Sequence, residues 1–365
     1  MLSNYSESTL APAVAIKGRG AVSNPVNRYH AKISVLDVTE DGFNKDKKSD
    51  QTDCLPLEAK TILSKNKSPD VPFDVSINPY SGCEHGCIYC YARPTHAYHD
   101  LSPGLDFETK IFAKENAAEL LKSAFSKKGY VCKPINLGAN TDPYQPIEAQ
   151  KKITRQLLEV FLQYKHPVTI ITKGNLILRD LDLLQELAQQ GLCSVRISVT
   201  TLDNKIKRTL EPRAASAEAR FKVIQELAGA GVPTGLLLAP VIPSINDHEI
   251  ERIVGKAAAN GAVSAEYILL RLPLEVKQLF QDWLTAHYPN RAKHVLSLIS
   301  QSRGGKLYDS GFSQRMKGTG VFADMLAKRF TLACKKHGLK NDNRELLNHR
   351  LFEQTLTSIG QMSLF

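Results

Sequence analysis

Six apolar runs between residues 74 and 272 are separated by five amphipathic stretches, and few folds accommodate that rhythm. The runs are DVSINPY at 74–80, PINLGAN at 134–140, PVTIITK at 167–173, SVRISVTTL at 194–202, PTGLLLAPVIP at 233–243 and EYILLRL at 266–272. The stretches at 116–125, 147–164, 176–190, 216–230 and 247–260 carry their apolar residues at helical spacing. Gly191 and Gly231 stand where two of these helices should stop, and Asp247 stands where one should be capped. Strands that read as unbroken apolar runs are buried on both faces, and their alternation with helices implies parallel β/α units. Six units fall short of the eight that close a full barrel. The expected fold class is therefore α/β, a partial (β/α)6 barrel, with no fixed-period repeat.

The flanks read differently. Residues 1–73 are rich in Ser, Asn, Lys and Asp, and form a weakly structured N-terminal extension in which 32–38 (KISVLDV) is one candidate strand. Residues 74–273 are the barrel core, and 274–365 a helical, basic C-terminal extension. The whole chain carries +10, while residues 301–365 alone hold eleven Lys or Arg against five Asp or Glu. A basic stretch of this kind, with Lys328-Arg329, Lys335-Lys336, Arg315 and Lys317, suits phosphate neutralisation, and Tyr308 and Phe312 suit base stacking; a solvated helix face explains the same charges. No run reaches the ~18–20 apolar residues of a membrane span. No basic segment followed by an apolar core opens the chain, so a cytoplasmic protein with no membrane partner is expected.

Seven cysteines, an odd number, cannot all pair. Three of them make Cys83-Glu-His-Gly-Cys87-Ile-Tyr-Cys90, a C-x3-C-x2-C loop at the end of the first strand. That spacing wraps three thiolates around one centre, at the barrel face where chemistry is done. A closed zinc site wants a fourth ligand, for which His85 is the nearest candidate. A zinc loop in a non-catalytic nucleic-acid-binding protein, or an iron–sulfur sensor, remains an alternative to an enzyme.

With Tyr89 before its last cysteine, this loop resembles the signature of the radical S-adenosylmethionine (SAM) superfamily. The resemblance implies a [4Fe-4S] cluster held by Cys83, Cys87 and Cys90, with one iron left open for SAM. The blocks Asn140-Thr-Asp-Pro-Tyr-Gln-Pro-Ile-Glu148, Thr172-Lys173, Arg179-Asp180, Ser198-Val-Thr200, Leu210-Glu-Pro-Arg213, Ala239-Pro-Val-Ile-Pro243 and Leu270-Arg-Leu-Pro273 are similar to the branch related to spore photoproduct lyase. Within that branch the chain resembles a subfamily of unassigned substrate with an N-terminal segment bearing Gly18-Arg-Gly-Ala21.

The resemblance implies reductive cleavage of SAM, fed by a flavodoxin- or ferredoxin-type electron donor, to a 5′-deoxyadenosyl radical that takes hydrogen from a substrate. It makes Gly138, Thr141, Lys173, Ser198 and Thr200 candidates for holding SAM. Glu211 and Arg213 form a loop ion pair or contact the ligand. Asn140 stands where the lyase carries a hydrogen-donating cysteine, and an amide cannot replace a thiol in that step. Tyr144 is the candidate relay in its stead, or a packing residue. His96 and His99, three apart, are polar loop residues or contacts to substrate or a second metal.

Overall fold

The computed structural model describes residues 15–29, 52–340 and 347–354. Among them the main sheet has seven strands: β2 (Leu63–Lys65), β3 (Val75–Ile77), β6 (Ile135–Leu137), β7 (Val168–Thr172), β8 (Cys193–Ser198), β9 (Thr234–Val241) and β10 (Ser264–Leu269). They run in the order β10-β9-β8-β7-β6-β3-β2. From β3 to β10 every pairing is parallel, and β2 adds an antiparallel edge to β3. The six-unit α/β rhythm of the sequence is thus an open, partial barrel. A smaller sheet pairs β5 (Lys110–Ala113) in parallel with β1 (Asp53–Pro56) and antiparallel with β4 (Tyr80–Ser81).

Strand alternation sorts the side chains. On β8, Val195 and Ile197 enter the large core between sheet and helices, as do Leu236 and Leu238 on β9. Ser198, Leu237 and Ala239 face the barrel interior instead. The outer helices are α1 (Ala117–Phe125), α2 (Ile153–Gln163), α3 (Leu181–Gln189), α4 (Ala217–Gly229) and α5 (Ile250–Ala259). Their buried stripes, such as Leu157, Leu158 and Phe161 on α2, pack on that sheet. Beyond the barrel come α6 (Val276–His287), α7 (Pro289–Gln301) and α8 (Val321–Lys336).

Three helix readings need correction. The stretch at 147–164 is broken because Lys152 adopts a left-handed φ of 52°, which ends a short turn and restarts the chain as α2. The stretch at 176–190 opens as a 3-10 turn, Asn175–Asp180, before α3. Asp247 caps nothing: it begins a 3-10 turn, Asp247–Glu249, and α5 starts at Ile250. The candidate strand at 32–38 lies outside the described residues. Gly191 and Gly231 follow their helices with positive φ, as read from sequence. Among the described residues no helix is long and apolar enough to cross a membrane.

The extension before residue 74 is built into the same sheets through β1 and β2. An open barrel leaves a gap between its edge strands, here β2 and β10. The chain bridges it: after β2, Asp70 accepts the Ser313 N–H at 2.5 Å and pairs with Arg315, which also bonds Ser68.

Candidate active site

The C-terminal ends of the parallel strands open into a cavity of about 470 Å3. Cys83, Cys87 and Cys90 line it, and all three are free thiols. The loop that carries them follows β3 and β4 and is tied on every side. Cys83 N–H donates to Phe107 O at 2.9 Å, Glu84 N–H to Gln145 at 2.8 Å, and Ile88 N–H to Leu210 O at 3.1 Å.

The firmest tie is a buried ion pair. Arg93 and Glu108 are both 0% exposed and bonded to each other. Arg93 donates to the carbonyls of Cys87 (2.9 Å), Gly86 (3.2 Å), Pro103 (3.0 Å) and Gly104 (2.8 Å). Glu108 accepts the backbone N–H groups of Gly20 (3.0 Å) and Ala21 (2.8 Å). The Gly18-Arg-Gly-Ala21 segment therefore lies on the back of the cysteine loop. Gly20 has to be glycine, because a Cβ there would sit 1.9 Å from the Gly86 oxygen.

Of the residues singled out for SAM, Gly138, Thr141, Lys173 and Ser198 line the same cavity as the cysteines. Thr200 does not. It is fully buried beyond the end of β8, where its hydroxyl donates to Glu211 at 2.6 Å, with the Ala239 carbonyl 3.0 Å away. Glu211 also takes the Tyr89 hydroxyl and pairs with Arg220 at 2.5 Å. Burial would raise the Glu211 carboxyl, but Arg220 and Lys173 outweigh it and hold the group at about 2. Glu211 and Arg213 therefore do not pair with each other; Arg213 reaches Glu84 at 3.1 Å.

Tyr144 takes the packing place that the sequence offered as the alternative to a relay. It is 1% exposed in the core under the sheet and does not line the cavity. Asn140 does line it. Cys132 precedes β6, away from the strand end that faces the cavity. His85 lies 3.3 Å from Asp142. Asp142 also accepts the Thr172 hydroxyl (2.6 Å) and the Lys173 N–H (2.7 Å). Against the burial that would raise it, these partners keep the Asp142 carboxyl well below the usual range. His96 and His99 sit on the 3-10 turn Arg93–His99, packed on Phe107 and Phe112, outside the cavity.

Sequence reasoning missed Arg93, Glu108, Asp142, Tyr91 and Arg271. Asp142 lay inside a block already singled out, without a role. The Arg93–Glu108 pair has no spacing signature, since its partners meet only through the folded loop.

The donor set suits an iron–sulfur cluster. Three thiols from one short loop, with no fourth protein ligand closing the set among the described residues, match a cluster that keeps one iron open. Among the described residues no three His, Cys, Asp or Glu side chains gather tightly enough for a single metal ion. Burial pushes the Cys83 thiol up and Cys87 to about 12, so metal has to displace protons to bind.

Comparison with known proteins agrees with this chemistry. Residues 77–257 match the Radical SAM superfamily. An uncharacterised protein of Mycobacterium tuberculosis is 32% identical over 284 residues, 76% of this chain and 80% of that protein. The radical SAM Nalpha-GlyT isomerase of Pseudomonas phage M6 is 27% identical over 236 residues, 62% of this chain and 46% of its own length. Among solved structures, a spore photoproduct lyase mutant with bound AdoMet and dinucleoside spore photoproduct superposes with a TM-score of 0.59 at 16% identity, covering 78% of this chain and 80% of that one. The fold is thus shared with spore photoproduct lyase, and the chain belongs to the radical SAM superfamily.

Proposed function

We propose that this protein binds a [4Fe-4S] cluster at Cys83, Cys87 and Cys90, binds SAM beside it, and acts on a substrate that enters the same cavity. When bound, the cluster and SAM supply a 5′-deoxyadenosyl radical that abstracts hydrogen. The observation that carries this reading is the placement of the three free thiols in one cavity with Gly138, Thr141, Lys173 and Ser198.

The chain's own residues have separable tasks. Lys173, at the end of β7, offers a cation to the SAM carboxylate. Asp142 fixes the backbone of Lys173 through its N–H, and so aims the side chain. Thr141 and Ser198 offer hydroxyls, and Gly138 offers bare backbone against which a ligand can lie. Glu211 and Arg220 lock the Tyr89 hydroxyl and hold the wall behind Cys87 and Cys90. The bridge between Asp70 and Arg315 ties the segment after β2 to the segment after β10 across the barrel's open side.

A nucleoside-class substrate is supported by the shared fold with a lyase that holds a dinucleoside photoproduct. A lyase-type repair outcome is not, since Asn140 offers no hydrogen atom and Tyr144 lies outside the cavity. A flavodoxin- or ferredoxin-type protein is the proposed electron donor.

The test is anaerobic reconstitution with iron and sulfide. About four irons per chain, and release of 5′-deoxyadenosine on adding SAM and reductant, are expected. Zinc alone, or iron without SAM cleavage, overturns the reading.

A further inference from the structure

Besides Lys173, the cavity is lined by Arg271 and Arg315, and the acid beside them, Asp70, is already paired with Arg315. Arg271 follows β10 and lines the cavity. Its Nε is buried with no hydrogen-bond partner, and its Nη1 donates to the Met316 sulfur at 3.0 Å. The guanidinium stacks on Tyr91, 4.9 Å from the ring centre. Among the described residues it forms no ion pair with any carboxylate.

Its neighbours make the position worse for a lone charge. Arg315 lies beside it, with its own charge already matched by Asp70. Arg303, also beside it, gives both Nη groups to the carbonyls of Leu269, Leu270, Gln314 and Arg315. Burial first, then Arg271, brings the Arg303 guanidinium down to about 10. The other groups facing Arg271 are Tyr91, Tyr308 and Asp70, and Asp70 is held by Arg315 and Ser313. A half-buried guanidinium with free donors and no counter-ion is costly unless an anion completes it. Guanidinium forks match planar or tetrahedral oxyanions best.

We infer that Arg271 is the anion subsite of the substrate, taking a phosphate or carboxylate group clamped between the guanidinium, Tyr91 and the segment that carries Met316. This deepens the radical SAM reading by naming a substrate class, and rests on it only for the identity of the cavity as the active site.

Reconstituted protein is titrated calorimetrically with inorganic phosphate, thymidylyl-thymidine and acetate, and SAM cleavage is measured in parallel. Wild type is expected to bind at least one of the three; phosphate or the dinucleotide over acetate identifies a phosphate source, and acetate a carboxylate. Arg271→Gln is expected to weaken that binding at least ten-fold, with Arg271→Lys recovering part of it. The SAM affinity and substrate-free cleavage of both variants should stay within two-fold of wild type.

No anion binding by wild type overturns the inference, as does unchanged binding by a folded Arg271→Gln. A loss of SAM affinity in that variant also overturns it, by assigning Arg271 to SAM. Failure of wild type to cleave SAM while the anion still binds counts against the enzymatic reading alone.

Discussion

Glu108→Ala tests how the cysteine loop is held. The substitution removes the partner of a buried arginine and leaves the N–H groups of Gly20 and Ala21 without an acceptor. Breaking a buried pair from one side costs about 3–5 kcal/mol, and each orphaned buried N–H about 1–3 kcal/mol. These do not add in full, because Arg93 keeps four carbonyl acceptors and water can enter the space left behind. The lower range, about 3–5 kcal/mol, is a large fraction of the ~5–15 kcal/mol by which domains are stable. At roughly 2–4 °C per kcal/mol, Tm should fall by at least about 6 °C. Arg93 bonds the Cys87 and Gly86 carbonyls directly, so the loop should loosen before the barrel does. Iron retained after desalting against a chelator should therefore drop even at temperatures where circular dichroism is unchanged. Glu108→Gln, which keeps an acceptor and loses the charge, should fall between. Wild-type iron retention and Tm in Glu108→Ala would refute the brace.

Two further outcomes follow from the same packing. Gly20→Ala forces a Cβ onto the Gly86 backbone oxygen, 1.9 Å away, where neither side can rotate clear. It should cost at least the ~1–3 kcal/mol of an overpacked core, read as a lower urea midpoint and weaker iron retention. His96 and His166 are buried and held at about 4 instead of 6.5. Burial is the first cause in both, so the unfolded chain takes up protons before the native one does as pH falls. Stability is complete above pH 6.5 and declines toward pH 4, by about 3 kcal/mol for each histidine. Urea unfolding of the metal-free protein at pH 7.0 and 4.5 measures this, and His166→Phe should reduce the difference by about 2–3 kcal/mol.

Much of the barrel was legible because strand and helix periods are local properties. Val168–Thr172 and Thr234–Val241 are apolar runs that have few alternatives once helices flank them. The cysteine loop was legible because its spacing is itself the chemistry. What stayed hidden depends on contacts between distant segments. Lys152 breaks its helix through backbone conformation that a helix-compatible residue does not announce. Thr200 looked like a ligand contact by alternation with Ser198, but the strand ends at Ser198 and Glu211 takes the hydroxyl. The brace at Glu108 joins residues 87 and 88 positions apart, and the Arg315–Asp70 bridge joins residues 245 apart. No periodicity records pairings of that kind.

The most direct measurement is SAM cleavage by the anaerobically reconstituted protein beside its Cys87→Ala variant. Wild type should carry about four irons and release 5′-deoxyadenosine and methionine under reduction, and Cys87→Ala should do neither. A wild-type protein that holds its iron but leaves SAM intact, or a Cys87→Ala variant that still cleaves it, would contradict the assignment of Cys83, Cys87 and Cys90 as the centre of the chemistry.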